Sequence, residues 1–150
     1  MKIEEEIHSS FASNRQKIGI NLIYTGNWYL YHSTTFFKRF HLTGQQYNIL
    51  RILRGAESKV SVKYIKERML DRVSDVSRVV EKLRLRGLIT RNECNIDRRL
   101  VDISITLKGI KLLETIDPEL SCLDSFFTHF TEEELIEFNR LMDKLRERNK

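Results

Sequence analysis

Ser74-Asp75-Val76-Ser77-Arg78-Val79-Val80-Glu81-Lys82-Leu83-Arg84-Leu85-Arg86 is the stretch on which the fold turns. Val76, Val79, Val80 and Leu83 recur at i, i+3, i+4 and i+7, so they form one apolar stripe of an α-helix. The opposite face carries Ser74, Ser77, Arg78, Glu81, Lys82 and Arg86. Gly87 follows where a helix end needs a left-handed residue, and Leu88-Ile89-Thr90-Arg91 then reads as a strand. Beyond a polar tip, Val101, Ile103 and Ile105 alternate with Asp102 and Ser104, the period of a half-buried strand. The two strands make a hairpin whose tip spans residues 92–99.

Upstream, side-chain chemistry places the helix starts. Thr43-Gly44-Gln45-Gln46 is a capping box with Leu42 and Tyr47 at the staple positions, and it predicts a helix over residues 44–54 ending at Gly55. Ser61 caps a second short helix with a Val62, Ile65 and Met69 stripe. Downstream, Thr106 caps a helix past Leu113 that Pro118 kinks or interrupts, and Thr131-Glu132-Glu133-Glu134 opens a last helix to about residue 148. Two short helices followed at once by a hairpin form a helix-turn-helix with a wing, whose second helix is the one built to enter a major groove.

The charge agrees with that order. Residues 59–99 hold twelve basic and six acidic side chains, a local net of +6 against a formal +5 for the chain, so the remainder carries −1. Basic charge gathered on compact structure is the footprint of a protein that meets phosphates. The 150 residues are 41% hydrophobic and 31% charged, which allows one ordinary domain with a core and excludes wholesale disorder. No apolar run is long enough to cross a bilayer, and the acidic start Met1-Lys2-Ile3-Glu4-Glu5-Glu6 is unlike a secretory leader, so a cytoplasmic protein is expected. Cys94 and Cys122 form neither a disulfide framework nor a zinc cluster, and His8, His32, His41 and His129 follow no metal-ligand spacing. No phosphate loop, nucleophile elbow or zinc-protease helix is present, so no enzyme, cofactor or metal is expected.

A groove-reading helix needs small or hydrogen-bonding side chains in its first turns, and Ser74, Asp75, Ser77 and Arg78 meet that need. Arg78 has the planar fork that grips a guanine edge, and Lys82 lies one turn further on. Asp75 either accepts from a cytosine amino group or holds Arg78 in place. Ser61, Lys63 and Lys66 on the preceding helix are placed for phosphate contact. At the wing tip, Asp97-Arg98-Arg99 sets two arginines beside an orienting carboxylate, a finger suited to a narrow minor groove. Cys94 reads, like Cys122, first as an ordinary thiol; the alternative is that Arg91, Arg98 and Arg99 near it in sequence favour its thiolate.

With these residues in view, the chain resembles the MarR family of winged-helix transcription regulators over most of its length. The resemblance rests on residues 74–83, Arg86-Gly87-Leu88, Asp97-Arg98-Arg99, and the run from Val101 through Thr106 to Gly109. It implies a mainly α fold with a small β-hairpin wing: one domain in which a winged lobe at about residues 42–106 is flanked by dimerisation helices at 10–40 and 107–148. It also implies a homodimer on a pseudo-palindromic operator in double-stranded DNA, a repressor relieved by a small-molecule effector. Asp75 departs from the family, which more often has a small hydroxyl or uncharged residue there.

The dimer has support in the residues themselves. Residues 15–39 are rich in aromatics, and the last helix repeats Leu135, Phe138, Leu141, Met142 and Leu145 at helical spacing; one winged lobe has no interior left for both faces. Tyr24, Trp28, Tyr31 and His32 read either as a pocket for a small aromatic effector or as plain dimer core. A winged helix used for protein contacts, and a constitutive DNA binder with no effector, are the alternative functions.

Overall fold

The computed structural model describes residues 2–56, 58–71, 75–93 and 101–147. Eight α-helices and one hairpin are seen among them: α1 (Ile3–Glu6), α2 (Asn14–Lys38), α3 (Gly44–Arg54), α4 (Val62–Arg68), α5 (Val76–Leu85), β1 (Ile89–Glu93), β2 (Val101–Ile105), α6 (Leu107–Ile116), α7 (Ser121–Asp124) and α8 (Glu132–Arg146). The chain divides into two compact units, Met1–Ile116 and Asp117–Lys150.

In the first unit the apolar stripes of the short helices meet. Ile49 and Leu50 of α3, Ile65 of α4, Val80 and Leu83 of α5, Ile103 of β2 and Leu113 of α6 are fully enclosed. Local chemistry sets the helix starts. The Thr43 hydroxyl accepts the Gln46 N–H while Gln46 accepts the Thr43 N–H, and Ser61 caps α4 through the Tyr64 N–H. At its far end α5 closes with a Schellman turn: Gly87 takes φ +68°, its N–H reaches the Arg84 carbonyl, and the Leu88 N–H reaches the Leu83 carbonyl.

The hairpin is antiparallel, with Ile89 opposite Ile105 and Glu93 opposite Val101, so Asn92 and Glu93 extend the strand instead of opening the tip. One pairing is absent from the sequence reading: Val60 exchanges two 2.9 Å backbone hydrogen bonds with Ile103, adding a one-residue third strand on the outer side of β2. A single residue has no period to read. Thr106 then joins the wing to α6, its hydroxyl donating to the Gly87 carbonyl at 2.8 Å and accepting the Gly109 N–H at 3.1 Å. Thr106→Ala removes both and is expected to cost about 1–2 kcal/mol in urea unfolding, more than an ordinary cap.

Two features near the termini refine the expectations. The acidic start forms the short helix α1, whose Glu4 pairs with Lys17 at 2.6 Å and whose Glu6 accepts from the Tyr24 hydroxyl at 2.9 Å, so it is tied to α2. The Lys17 ammonium holds the Glu4 carboxyl below its ordinary range, and the Glu6 carboxylate raises the Tyr24 phenol. α6 stops at Ile116, and Pro118 sits in a 3-10 turn (Asp117–Glu119), which is an interruption and not a kink. In the second unit, α8 opens on the capping box of Thr131 and Glu134 and buries no residue within the chain.

Candidate nucleic-acid interface

The helical period of α5 divides the helix as its sequence dictates. Val76, Val80 and Leu83 are buried, while Ser77, Arg78 and Lys82 are exposed on the other side. Among the described residues Arg78 forms no side-chain hydrogen bond or ion pair, so its guanidinium keeps its donors for an outside acceptor.

The helix begins at Val76, two residues inside the stretch read as helical. Asp75 is its N-cap, accepting the Arg78 backbone N–H at 3.2 Å. The carboxylate thus anchors the Arg78 main chain, while the Arg78 side chain is exposed. A carboxylate at this end also suits the helix dipole, which offsets part of its repulsion from phosphate. Ser74 lies outside the described residues.

The preceding helix α4 exposes Lys63 and Lys66, and Ser61 with its hydroxyl oxygen already engaged as the cap. Arg68, which the sequence reading passed over, places its guanidinium carbon over the Tyr64 ring, 3.5 Å from the centroid. The stack fixes a planar cation at the end of α4. Asp97, Arg98, Arg99 and Cys94 lie outside the described residues; the last rung before them is Glu93 opposite Val101.

Glu81 is a second omission. Arg84 donates to it twice, at 2.9 and 2.7 Å, and Arg91 of β1 approaches to 3.9 Å. The Arg84 guanidinium holds the Glu81 carboxyl below the usual carboxylate range, with Arg91 adding to the effect. This cluster joins α5 to β1 and pairs Arg84, so that among the described residues of α5 Arg78 and Lys82 are the cations left without a carboxylate partner. The pair at i, i+3 was visible in the sequence; the contact with Arg91 needs the hairpin in place. Arg86, counted on the outer face, is half-buried and donates to the His41 carbonyl at 2.7 Å. It is the residue after the last helical turn, so the helical count no longer sets its direction.

The four residues considered for an effector are only partly gathered. Tyr24 and Trp28 line an open cleft of about 340 Å³ with Ile3, Glu6, Asn21 and Thr25. His32 stands edge-on to Trp28 at 4.8 Å and to Tyr31 at 5.5 Å, but neither His32 nor Tyr31 lines the cleft. Among the described residues no group of His, Cys, Asp or Glu is arranged to hold a metal, and no helix is long and apolar enough to cross a membrane.

A capped helix presenting Ser77, Arg78 and Lys82, preceded by a basic helix and backed by a hairpin, defines a winged helix-turn-helix regulator of transcription that binds DNA. Residues 41–100 match the model of the MarR family. The chain is 33% identical over 118 residues to the HTH-type transcriptional regulator MgrA of Staphylococcus aureus, with 77% of each chain covered. It belongs to the MarR family, whose members are regulators and not enzymes. Among solved structures, a MarR transcription factor from Planctomyces limnophilus matches with 31% identity and a TM-score of 0.68 over 89% of this chain and 98% of that one. Bordetella bronchiseptica BpsR, whose DNA binding is regulated by 6-hydroxynicotinic acid, shares the fold at 23% identity with a TM-score of 0.72 over 87% and 99%.

Proposed function

We propose that the protein is a cytoplasmic, homodimeric repressor that holds a pseudo-palindromic operator and releases it when a small molecule binds. In this reading Arg78, with Ser77, Ser74 and Lys82, meets base edges and phosphates of a major groove, and Ser61, Lys63 and Lys66 meet the backbone beside it. Asp97, Arg98 and Arg99 follow the adjoining minor groove, and Asp75 positions Arg78. The observation that carries the reading is the one-sided burial of α5, which leaves the Arg78 face open along a short helix with a fixed start.

The dimer is supported by apolar surface that each unit leaves uncovered. On α2, Ile18, Ile23, Leu30 and Tyr31 are 55%, 64%, 61% and 69% exposed; on α8, Ile136 and Leu145 are 61% and 60% exposed. Monomeric proteins seldom show so much on one helix. A two-fold dimer covers these faces and sets two reading helices about 34–36 Å apart, one turn of DNA. Sedimentation should therefore give about twice the 17.9 kDa chain mass at micromolar concentration, and Leu145→Asp should shift the boundary toward monomer and weaken DNA binding with it. A monomeric parent protein that still protects two half-sites would refute the dimer. For the effector, the Tyr24 and Trp28 cleft offers aromatic faces and polar edges, and the regulation of DNA binding in BpsR by 6-hydroxynicotinic acid supports control by a small molecule without placing that molecule in this cleft. Selecting genomic fragments with the purified protein tests the whole reading: enrichment of one palindrome-like sequence supports it, and unselective recovery contradicts it.

A further inference from the structure

We propose that Gln45 and Asn48 of α3 are positioning residues for base recognition: their amides pin the chain between α4 and α5, at Asp71 and Met69, and so set where the first turn of α5 stands in the groove. The inference rests on the DNA-binding reading and adds to it two residues that act without touching DNA.

Asn48 is the anomaly that points there. Among the described residues two polar side chains are buried, Gln46 and Asn48, and Gln46 is accounted for by the capping box. Asn48 is 4% exposed, in a helix whose other inward residues include Ile49, Leu50, Ile52 and Leu53. Burial alone would be served better by leucine, since an amide gives up its hydration. The Asn48 oxygen accepts from Arg51 at 3.2 Å; an arginine only donates, so the amide nitrogen is left for the Met69 sulfur, 3.6 Å away. Met69 is the residue at which α4 stops, its backbone already extended at φ −66° and ψ 138°.

Gln45 makes the matching bond at the surface. It stands three residues before Asn48, on an adjoining part of the same helix, and its Nε2 donates to the Asp71 carboxylate at 2.9 Å. Between the two anchors Leu70 is 84% exposed, so apolar packing holds residues 69–71 through Met69 alone. Both bonds come from α3, which packs against α4 and α5 alike. Three residues separate Asp71 from Asp75, the cap of α5, so little chain is available to absorb a shift at Asp71 before it reaches the first turn of α5. Phosphate contacts made by long lysines tolerate such a shift. A planar fork on a base edge does not, because it needs placement to about 0.5 Å. Slackening the connector therefore lowers selectivity before it lowers adhesion.

Competition titrations on the full chain test the role, with a selected operator against an unrelated duplex at one salt concentration, read as the ratio of the two affinities beside urea unfolding of each variant. Asn48→Leu keeps the branching of the side chain and strands no buried polar group, since the Met69 sulfur is a weak acceptor and Arg51 is exposed to water. It should fold at least as stably as the parent protein and yet lower the ratio about tenfold, the scale of one mismatched base pair. Gln45→Glu sets a second carboxylate against Asp71 in a first helical turn that otherwise favours an acid, and it should lower the ratio to a similar extent. Adding Asp71→Asn to it should restore the ratio to within about threefold, because the pair then bonds in the reverse direction. Lys63→Ala, by contrast, should weaken both affinities and leave the ratio unchanged. An unchanged ratio in either Asn48→Leu or Gln45→Glu, or a Gln45→Glu loss that Asp71→Asn does not restore, would overturn the positioning role. Should Asn48→Leu fail to fold, the exposed Gln45 and Asp71 pair decides alone. A parent protein that prefers no fragment would fail the DNA-binding reading and the positioning role with it; a selective parent with unchanged variants fails the positioning role only.

Discussion

Arg78→Ala is expected to weaken binding to the selected operator by about 1–3 kcal/mol and to relax base preference at one position in each half-site. The residue sits in the first turn of α5, its main chain fixed by the Asp75 carboxylate and its side chain without a partner among the described residues. A planar guanidinium fork is pre-organised and loses less freedom per hydrogen bond than an ammonium when it grips a guanine edge, so the contact energy appears as discrimination. Lys63→Ala and Lys66→Ala, on the exposed side of α4, should instead weaken all duplexes about equally and shallow the salt dependence by about one counterion each. Equal losses for Arg78→Ala on operator and on unrelated DNA would reduce α5 to a basic surface without readout. Competition titrations at a fixed salt concentration distinguish the two results.

Gly109→Ala should lose about 2–4 kcal/mol of folding stability, measured by urea unfolding at constant protein concentration. A Cβ at this position would stand 2.4 Å from the Leu88 carbonyl oxygen and 2.7 Å from Ile105 Cγ1. The carbonyl cannot step aside cheaply, because it already accepts the Thr106 N–H at 3.1 Å and belongs to the turn that ends α5. Alanine is the better helix former by about 1 kcal/mol, so the expected loss is a clash that outweighs this gain. Gly55→Ala is the matching control: its Cβ would lie 3.6 Å from the nearest atom, and it should change stability by less than about 0.5 kcal/mol. A neutral Gly109→Ala would mean that α6 does not approach the Leu88 turn and the end of β2 this closely.

What was legible in the sequence was what local chemistry specifies. Thr43, Ser61, Thr106 and Thr131 cap helices because a hydroxyl next to an amphipathic run has few other uses, and all four do so here. The exposure of Ser77, Arg78 and Lys82 followed from a period of 3.6 residues, and the left-handed Gly87 from its place after the last turn. Asp75 was visible as a residue but not as the cap, because Ser74 beside it competes for the same role in any count of side-chain types. The Val60 bridge, the Arg91 contact with Glu81 and the Arg86 contact with His41 join elements 43, 10 and 45 residues apart, and no local pattern encodes such distances. For Gly109 the resemblance to a family marked the position, while the crowding that demands glycine is a property of the packed wing and helix. The wing arginines were read from composition, and they fall outside the described residues.

Methylation interference on a selected operator tests the central claim most directly, because methylation at guanine N7 blocks the major-groove edge alone. The account predicts that methylating one guanine in each of two half-sites, about 10–10.5 base pairs apart, prevents binding of the parent protein, and that Arg78→Ala becomes indifferent to the same guanines. Binding that tolerates every N7 methyl group, or an interference pattern unchanged in Arg78→Ala, would contradict the placement of this helix face in the groove.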